Sequence, residues 1–268
     1  MKHIKTIAAG IVCTLLAGCS NFEDINTNPD TPTNVNSSLL ATGAIHGILA
    51  PSSSGKTFVT HMFITKYLGW GEEAVDGQYN DFRRASFSDY AYLQDYKNMA
   101  ELAPESNKSA YEGLAALLKA YVLFNHTLEV GDIPYSQILQ GEEGLLTPVY
   151  DTQKDVCLGV LEDLQEAYSK LSAAQDFSGD IVFGGSARQW AKVATALQLR
   201  VLINLSKRED DADLNVAQRF REAYQNGLLM ESNEDNLQLA FSDKAGQYYP
   251  YNSSTNRHWA YAMLSDFL

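Results

Sequence analysis

A chain of 268 residues with 33 acidic and 20 basic side chains has a net charge of −13. That charge repels a phosphate backbone and argues against nucleic acid as a partner. With 45% apolar residues the chain can bury a sizeable core in one or two domains.

Lys2 and Lys5 give a positive start, and Ile7 to Leu16 is an apolar run of about 10 residues, too short to span a bilayer as a helix. A plain secretory signal ends in an A-x-A-like site. Leu16, Ala17, Gly18 and Cys19 are instead similar to the lipobox of bacterial lipoproteins. The resemblance implies a signal peptide over residues 1–18 and S-acylation of Cys19 as the mature N-terminus. The alternative is a buried cysteine after an uncleaved apolar helix. Without Lys2 and Lys5, 18 basic residues remain against 33 acidic ones, a net charge of −15. Each buried methylene contributes about 0.8 kcal/mol, so several acyl chains hold a protein stably on a membrane where one does not. Residues 19–37 are polar, rich in Asn, Pro, Thr and Ser, and read as a tether. Glu23 and Asp24 are either ordinary linker charges or part of an export signal. Cys13 leaves with the signal, so Cys157 remains alone and no internal disulfide forms; on its helical pattern it reads as a small buried hydrophobe.

Beyond residue 37 the dominant period is helical. Residues 38–50 predict a first helix, weakened by Gly43 and Gly47. Residues 56–69 predict a second, with Phe58, Met62, Phe63 and Tyr67 near i, i+4 spacing, and residues 88–103 a third. The strongest pattern spans 107–127, where Leu114, Leu117, Leu118, Tyr121, Val122 and Phe124 recur among alanines. The next helix, 151–173, starts near Asp151 as a cap and carries Val156, Val160, Leu161, Leu164, Tyr168 and Leu171 on one face. Residues 187–206 and 213–227 follow, the last closed by Gly227 as a C-terminal cap. The helices starting at Ala110 and Ala187 share interleaved small and large apolar residues. Paired helices of that kind suggest a mainly α, tetratricopeptide-like stack with long loops and little strand; an ordinary helical domain of uniform composition is the other reading.

Between the two strongest helices lies V-G-D-I-P-Y-S-Q, Val130 to Gln137. Gly131 permits an unusual backbone angle, Asp132 can accept backbone amides, Pro134 fixes its φ, and Tyr135 can pack the turn onto the helices. A catalytic role for Asp132 has no defined partner carboxylate behind it. This stretch, with L-A-G-C, F-E-D-I-N-T-N-P-D-T-P, T-P-V-Y-D-T-Q-K-D-V and W-A-K-V-A-T-A-L-Q-L-R-V-L-I-N-L-S, resembles the SusD/RagB family of nutrient-binding outer-membrane lipoproteins, and within it the second SusD-like subgroup. Five pieces in order, from residue 16 to about 206, make the match specific. Family members run to roughly twice this length, and Y-A-M-L-S-D-F-L at the end has no cap or polar tail, so residues 38–268 are read as a SusD-like domain truncated at its C-terminus. The resemblance implies a non-catalytic, surface-exposed lipoprotein of the outer membrane. It would capture a glycan or peptide and act as a lid on a TonB-dependent, SusC-like transporter.

Catalytic motifs are otherwise lacking: the sequence has no H-E-x-x-H, G-x-S-x-G, G-x-G-x-x-G or P-loop, and no cofactor is implied. His46, His61, His126 and His258 stand alone. The acidic groups Glu72, Glu73 and Asp76, and likewise S-N-E-D-N at 232–236, lack calcium-loop spacing and read as solvated charge. Loop aromatics are better site candidates. Trp70, Tyr79, Asn80 and Arg83 lie between two predicted helices; Tyr248, Tyr249 and Trp259 lie in a second cluster rich in Tyr, Ser and Asn. Aromatic faces stack on sugar rings or peptide side chains, and Asn and Arg hydrogen-bond hydroxyls or amides. The expected arrangement has Trp70 and Tyr79 partly exposed on the same side as Tyr249 or Trp259. A surface glycoside hydrolase or peptidase of helical fold would need a carboxylate pair or metal triad; a ligand-free scaffold would bury both clusters.

Overall fold

In a computed structural model of the chain, the described residues are 35–50, 60–70, 86–249 and 262–266. The described elements fall within the unit Asn36–Leu268. In chain order they are α1 (Ser37–Leu49), α2 (Thr60–Ile64), β1 (Leu68–Trp70), α3 (Ala91–Glu101), α4 (Lys108–Val130), α5 (Gln153–Ala173), α6 (Ala187–Asn204), α7 (Val216–Asn226) and β2 (Ala262–Leu264). The fold is mainly α.

Helix α4 is the spine. Leu114, Leu117, Leu118, Leu123 and Phe124 are buried at helical spacing, and the helix runs three residues past the predicted end to stop at Gly131, whose φ of 86° a side chain would resist. Helix α3 packs on α4 from one side and α5 from the other, α6 packs on α5, and α7 on α6. Neighbours run antiparallel. Along α4 and α5 the Glu112–Lys170, Lys119–Asp163 and Thr127–Gln153 contacts follow one another in reverse order. Small residues sit at the crossing, as a tetratricopeptide-like stack requires: a Cβ on Gly113 would lie 2.8 Å from Leu171 Cγ. α1 lies against α3 and α4.

Lysines fasten successive junctions. Lys170 reaches Glu112 at 2.5 Å, Lys119 reaches Asp163 at 2.9 Å, Lys154 bridges Asp211 and Asp213, and Lys192 bridges Glu231 and Asp235. Each of these lysines reaches a carboxylate outside its own helix.

The Gly131–Ser136 turn closes the α4–α5 junction. Asp132 accepts the Gln153 amide at 2.9 Å, at the first residue of α5, so its carboxylate is used in structure. Asp151, expected as the cap of that helix, does other work. It accepts the Tyr135 and Ser136 amides and the Ser136 hydroxyl, and Thr152 caps α5 through the Asp155 amide. Burial works against the Asp151 charge, but these bonds outweigh it and hold the carboxyl below its usual range. Tyr135 donates to Asp163 at 2.5 Å beneath the Lys119 ammonium, and burial, with the Asp163 charge behind it, pushes its phenol far up. The ring fits only because Gly159 has no side chain.

The α5–α6 connection is knotted around Asp180. Its carboxylate accepts the amides of Val182, Phe183 and Gly185 and the indole N–H of buried Trp190 at 2.9 Å. Ser186 then caps α6.

Two further expectations are corrected. The helix read over 56–69 appears among the described residues as the short α2, 60–64. Lys66 turns with φ 65° and the chain goes on as β1, pairing overriding the apolar period. Of the two charges in residues 232–236, Glu234 is exposed as expected but Asp235 is not solvated: it is buried, closes a capping box and takes Lys192 at 2.9 Å. Gly227 caps α7 as expected, its amide donating to the Ala223 carbonyl at 3.0 Å, with φ −81°; its need for glycine is space, since a Cβ would lie 2.5 Å from Thr195 Cγ2.

Candidate functional site

The two aromatic clusters meet at their roots. β1 pairs antiparallel with β2 in the register Leu68↔Leu264, Gly69↔Met263, Trp70↔Ala262, and the Ser265 amide donates to the Tyr67 carbonyl at 3.0 Å. Trp70 opens the stretch that carries Tyr79, Asn80 and Arg83; Ala262 ends the stretch that carries Trp259. The pairing brings Trp70, where the first aromatic stretch begins in sequence, beside Ala262, where the second ends. The side chain of Trp70, and the whole of Tyr79, Asn80, Arg83 and Trp259, lie outside the described residues, as does Cys19.

Tyr248 and Tyr249 are described and each is 48% exposed. They follow a turn in which the Ser242 amide donates to Gln247 O at 2.9 Å, with Gly246 at φ 80°. The Phe241 and Tyr249 rings meet edge to face at 5.2 Å, which steadies the segment.

Elsewhere the chemistry is structural. Cys157 is buried, and burial pushes its thiol up, away from nucleophilic range. His126 is buried against the rings of Phe87, at 4.4 Å, and Tyr90. Among the described residues no three His, Cys, Asp or Glu side chains gather closely enough to hold a metal ion. No described helix is long and apolar enough to cross a membrane.

Sequence reasoning missed a cleft between α5 and α7, whose mixed lining includes Gln165 and Arg219. Its signal was present as polar residues at i, i+3 and i+7 on α7 (Arg219, Glu222, Asn226), on a side where a packed helix would be apolar.

Residues 29–268 match the family model described as starch-binding and associating with the outer membrane, in its second SusD-like form. The chain belongs to the SusD-like family. Among solved structures, a SusD homologue from Bacteroides fragilis is 46% identical with a TM-score of 0.83, over 87% of this chain and 49% of that one. A second B. fragilis SusD homologue is 32% identical with a TM-score of 0.76, again over 87% and 49%. A SusD-like fold is also shared, at 24% identity and a TM-score of 0.61, with a chitin-binding protein, over 75% of this chain and 45% of that one. Among curated proteins none matches. The chain thus spans about half the length of the solved SusD homologues it matches.

Proposed function

We propose that this SusD-like chain is the capture part of a non-catalytic, lipid-anchored outer-membrane protein that binds a nutrient glycan or peptide. The observation that carries the reading is the Trp70↔Ala262 register, which sets the roots of both aromatic loops against each other. Rings from two loops on one base can close on a ligand from two sides, as Tyr, Asn and Arg suit both sugar hydroxyls and peptide amides. The half-exposed Tyr248 and Tyr249 belong to the same site. The family's outer-membrane association supports residues 1–18 as a signal peptide, Cys19 as the acylated residue and residues 19–37 as the tether. Hand-over follows from linkage. A lid on a TonB-dependent, SusC-like transporter closes when ligand gains contacts to lid and barrel together, because a ligand shifts an equilibrium only by its differential affinity for the two states. No bond is made or broken.

The test is a screen of oligosaccharides and oligopeptides against the protein, followed by calorimetry on the Trp259→Ala variant with the cargo found. Stacking of one ring contributes about 0.5–1.5 kcal/mol beyond area burial, so affinity should fall several-fold at an unchanged melting temperature. Unchanged affinity removes Trp259 from the site; a large drop in melting temperature assigns it to the core instead.

A further inference from the structure

A cleft lies where α5, α6 and α7 meet. α5 and α7 lie on the same side of α6 and leave between them a hollow of about 470 Å³, within the range of small-ligand pockets. Its shape is fixed at one end. The Tyr168 hydroxyl donates to the Asn226 carbonyl at 3.0 Å, and Gly227 lets the end of α7 come against Thr195. α7 turns its apolar Val216 and Phe220 to the far side of α6 and presents Arg219, Glu222 and Asn226 to the cleft. α5 answers with Glu162 and Gln165. Leu161 and Leu202 are buried below them as an apolar floor.

The chemistry of this lining selects a ligand class by elimination. One guanidinium faces two carboxylates, so an anion is not favoured. No metal-holding group of side chains occurs among the described residues. The walls are helices whose backbone amides and carbonyls are spent on one another, so a peptide strand finds no backbone to pair with. What remains is side-chain recognition by mixed donors and acceptors. The backbone amide of half-buried Arg219 is spent on the Asn215 carbonyl at 3.0 Å, but its guanidinium has no ion pair or hydrogen bond among the described residues, nor has the Gln165 side-chain amide. Buried Gln198 gives its Nε2 to the Leu164 carbonyl at 3.1 Å, which fixes the amide with its oxygen left to accept. Fixed donors and acceptors over a leucine floor match a neutral molecule with hydroxyls at its edges and C–H groups on its face.

We infer that the α5–α7 cleft binds a short neutral glycan through Gln165, Gln198 and Arg219, as a site separate from the loops on the β1–β2 base. The inference does not rest on the loop site.

The experiment is an NMR titration of the full chain with maltohexaose, cellohexaose and N-acetylchitohexaose, and with an alanine–glycine hexapeptide as the contrasting probe. The signals followed are the Arg219 guanidinium and the Gln165 and Gln198 side-chain amides, which report on the cleft whatever happens at the loops. One of the hexasaccharides should move all three, and Arg219→Ala should weaken that binding about tenfold, the loss of roughly 1.4 kcal/mol. Gln165→Ala, on an exposed position of α5, is the second variant, and Ala223→Trp, which fills the hollow without removing a polar group, should abolish the shifts. The inference is overturned if no hexasaccharide moves these signals at about 10 mM, a concentration that detects even millimolar binding. It is overturned equally if the hexapeptide alone moves them, or if the shifts survive both Arg219→Ala and Gln165→Ala.

Discussion

Asp235 accepts the Glu231 amide at 2.8 Å and the Ser232 amide at 3.3 Å, and faces the Lys192 ammonium at 2.9 Å. The Glu231 amide first, then Lys192, hold its carboxyl at about 2, against an ordinary 3.8. A carboxyl depressed in the folded chain contributes stability above its unfolded value and loses it as pH falls through the folded one. The contribution is therefore complete above about pH 4 and fades toward pH 2. In Asp235→Asn the urea midpoint should be lower than wild type at pH 5, and the gap should narrow as pH falls to 2. A gap that stays constant over that range would mean the variant loses only neutral hydrogen bonds. The same residue marks a limit of sequence reading. S-N-E-D-N offers five polar or acidic side chains in a row, and nothing local says that Lys192, more than forty positions earlier, will turn one of them inward.

Trp190 in α6 shows where periodicity did work. Its position on the apolar face, with Val193, Ala194 and Val201, was visible in the sequence, and all four are buried. Its N–H partner was not, because Asp180 belongs to a loop whose φ-positive glycines Gly179, Gly184 and Gly185 shape it only once the helices meet. Trp190→Ala should cost about 3–5 kcal/mol, as large aromatic truncations do, read from the denaturation midpoint at unchanged m-value. A cost near that of a surface substitution would show that the Asp180 loop does not depend on the indole. α4, α5 and α6 were legible for the same reason: long, alanine-rich amphipathic runs with local stop signals. Residues 56–69 were misread because five helical residues and a three-residue strand share too short a window for either period to declare itself. Of the candidate site, residue types were legible in the loops; the pairing that joins them is tertiary, and the cleft on α5 and α7 appears only when the two helices are set side by side.

For the whole molecule, attachment and capture are separable. No described helix is long and apolar enough to cross a bilayer, and the proposed function assigns retention to a lipid at Cys19. Cys19→Ala, expressed without a transporter, should leave the membrane fraction after a high-salt wash, followed by immunoblot. Persistent membrane binding would count against the lipoprotein reading. The β1–β2 pairing has a consequence of another kind. It joins segments about 200 residues apart in sequence, a closure whose entropic cost grows only slowly with length but which is met last, after the local helix pairs have formed. Three short rungs give it little stability of its own, so it belongs with the parts of the molecule that open first. A cargo bridging the loops above would act as a clasp on this seam, and its binding energy would appear as slower hydrogen exchange at Gly69 and Met263. A nutrient held in that way reports, far below itself, that the chain has finished folding around it.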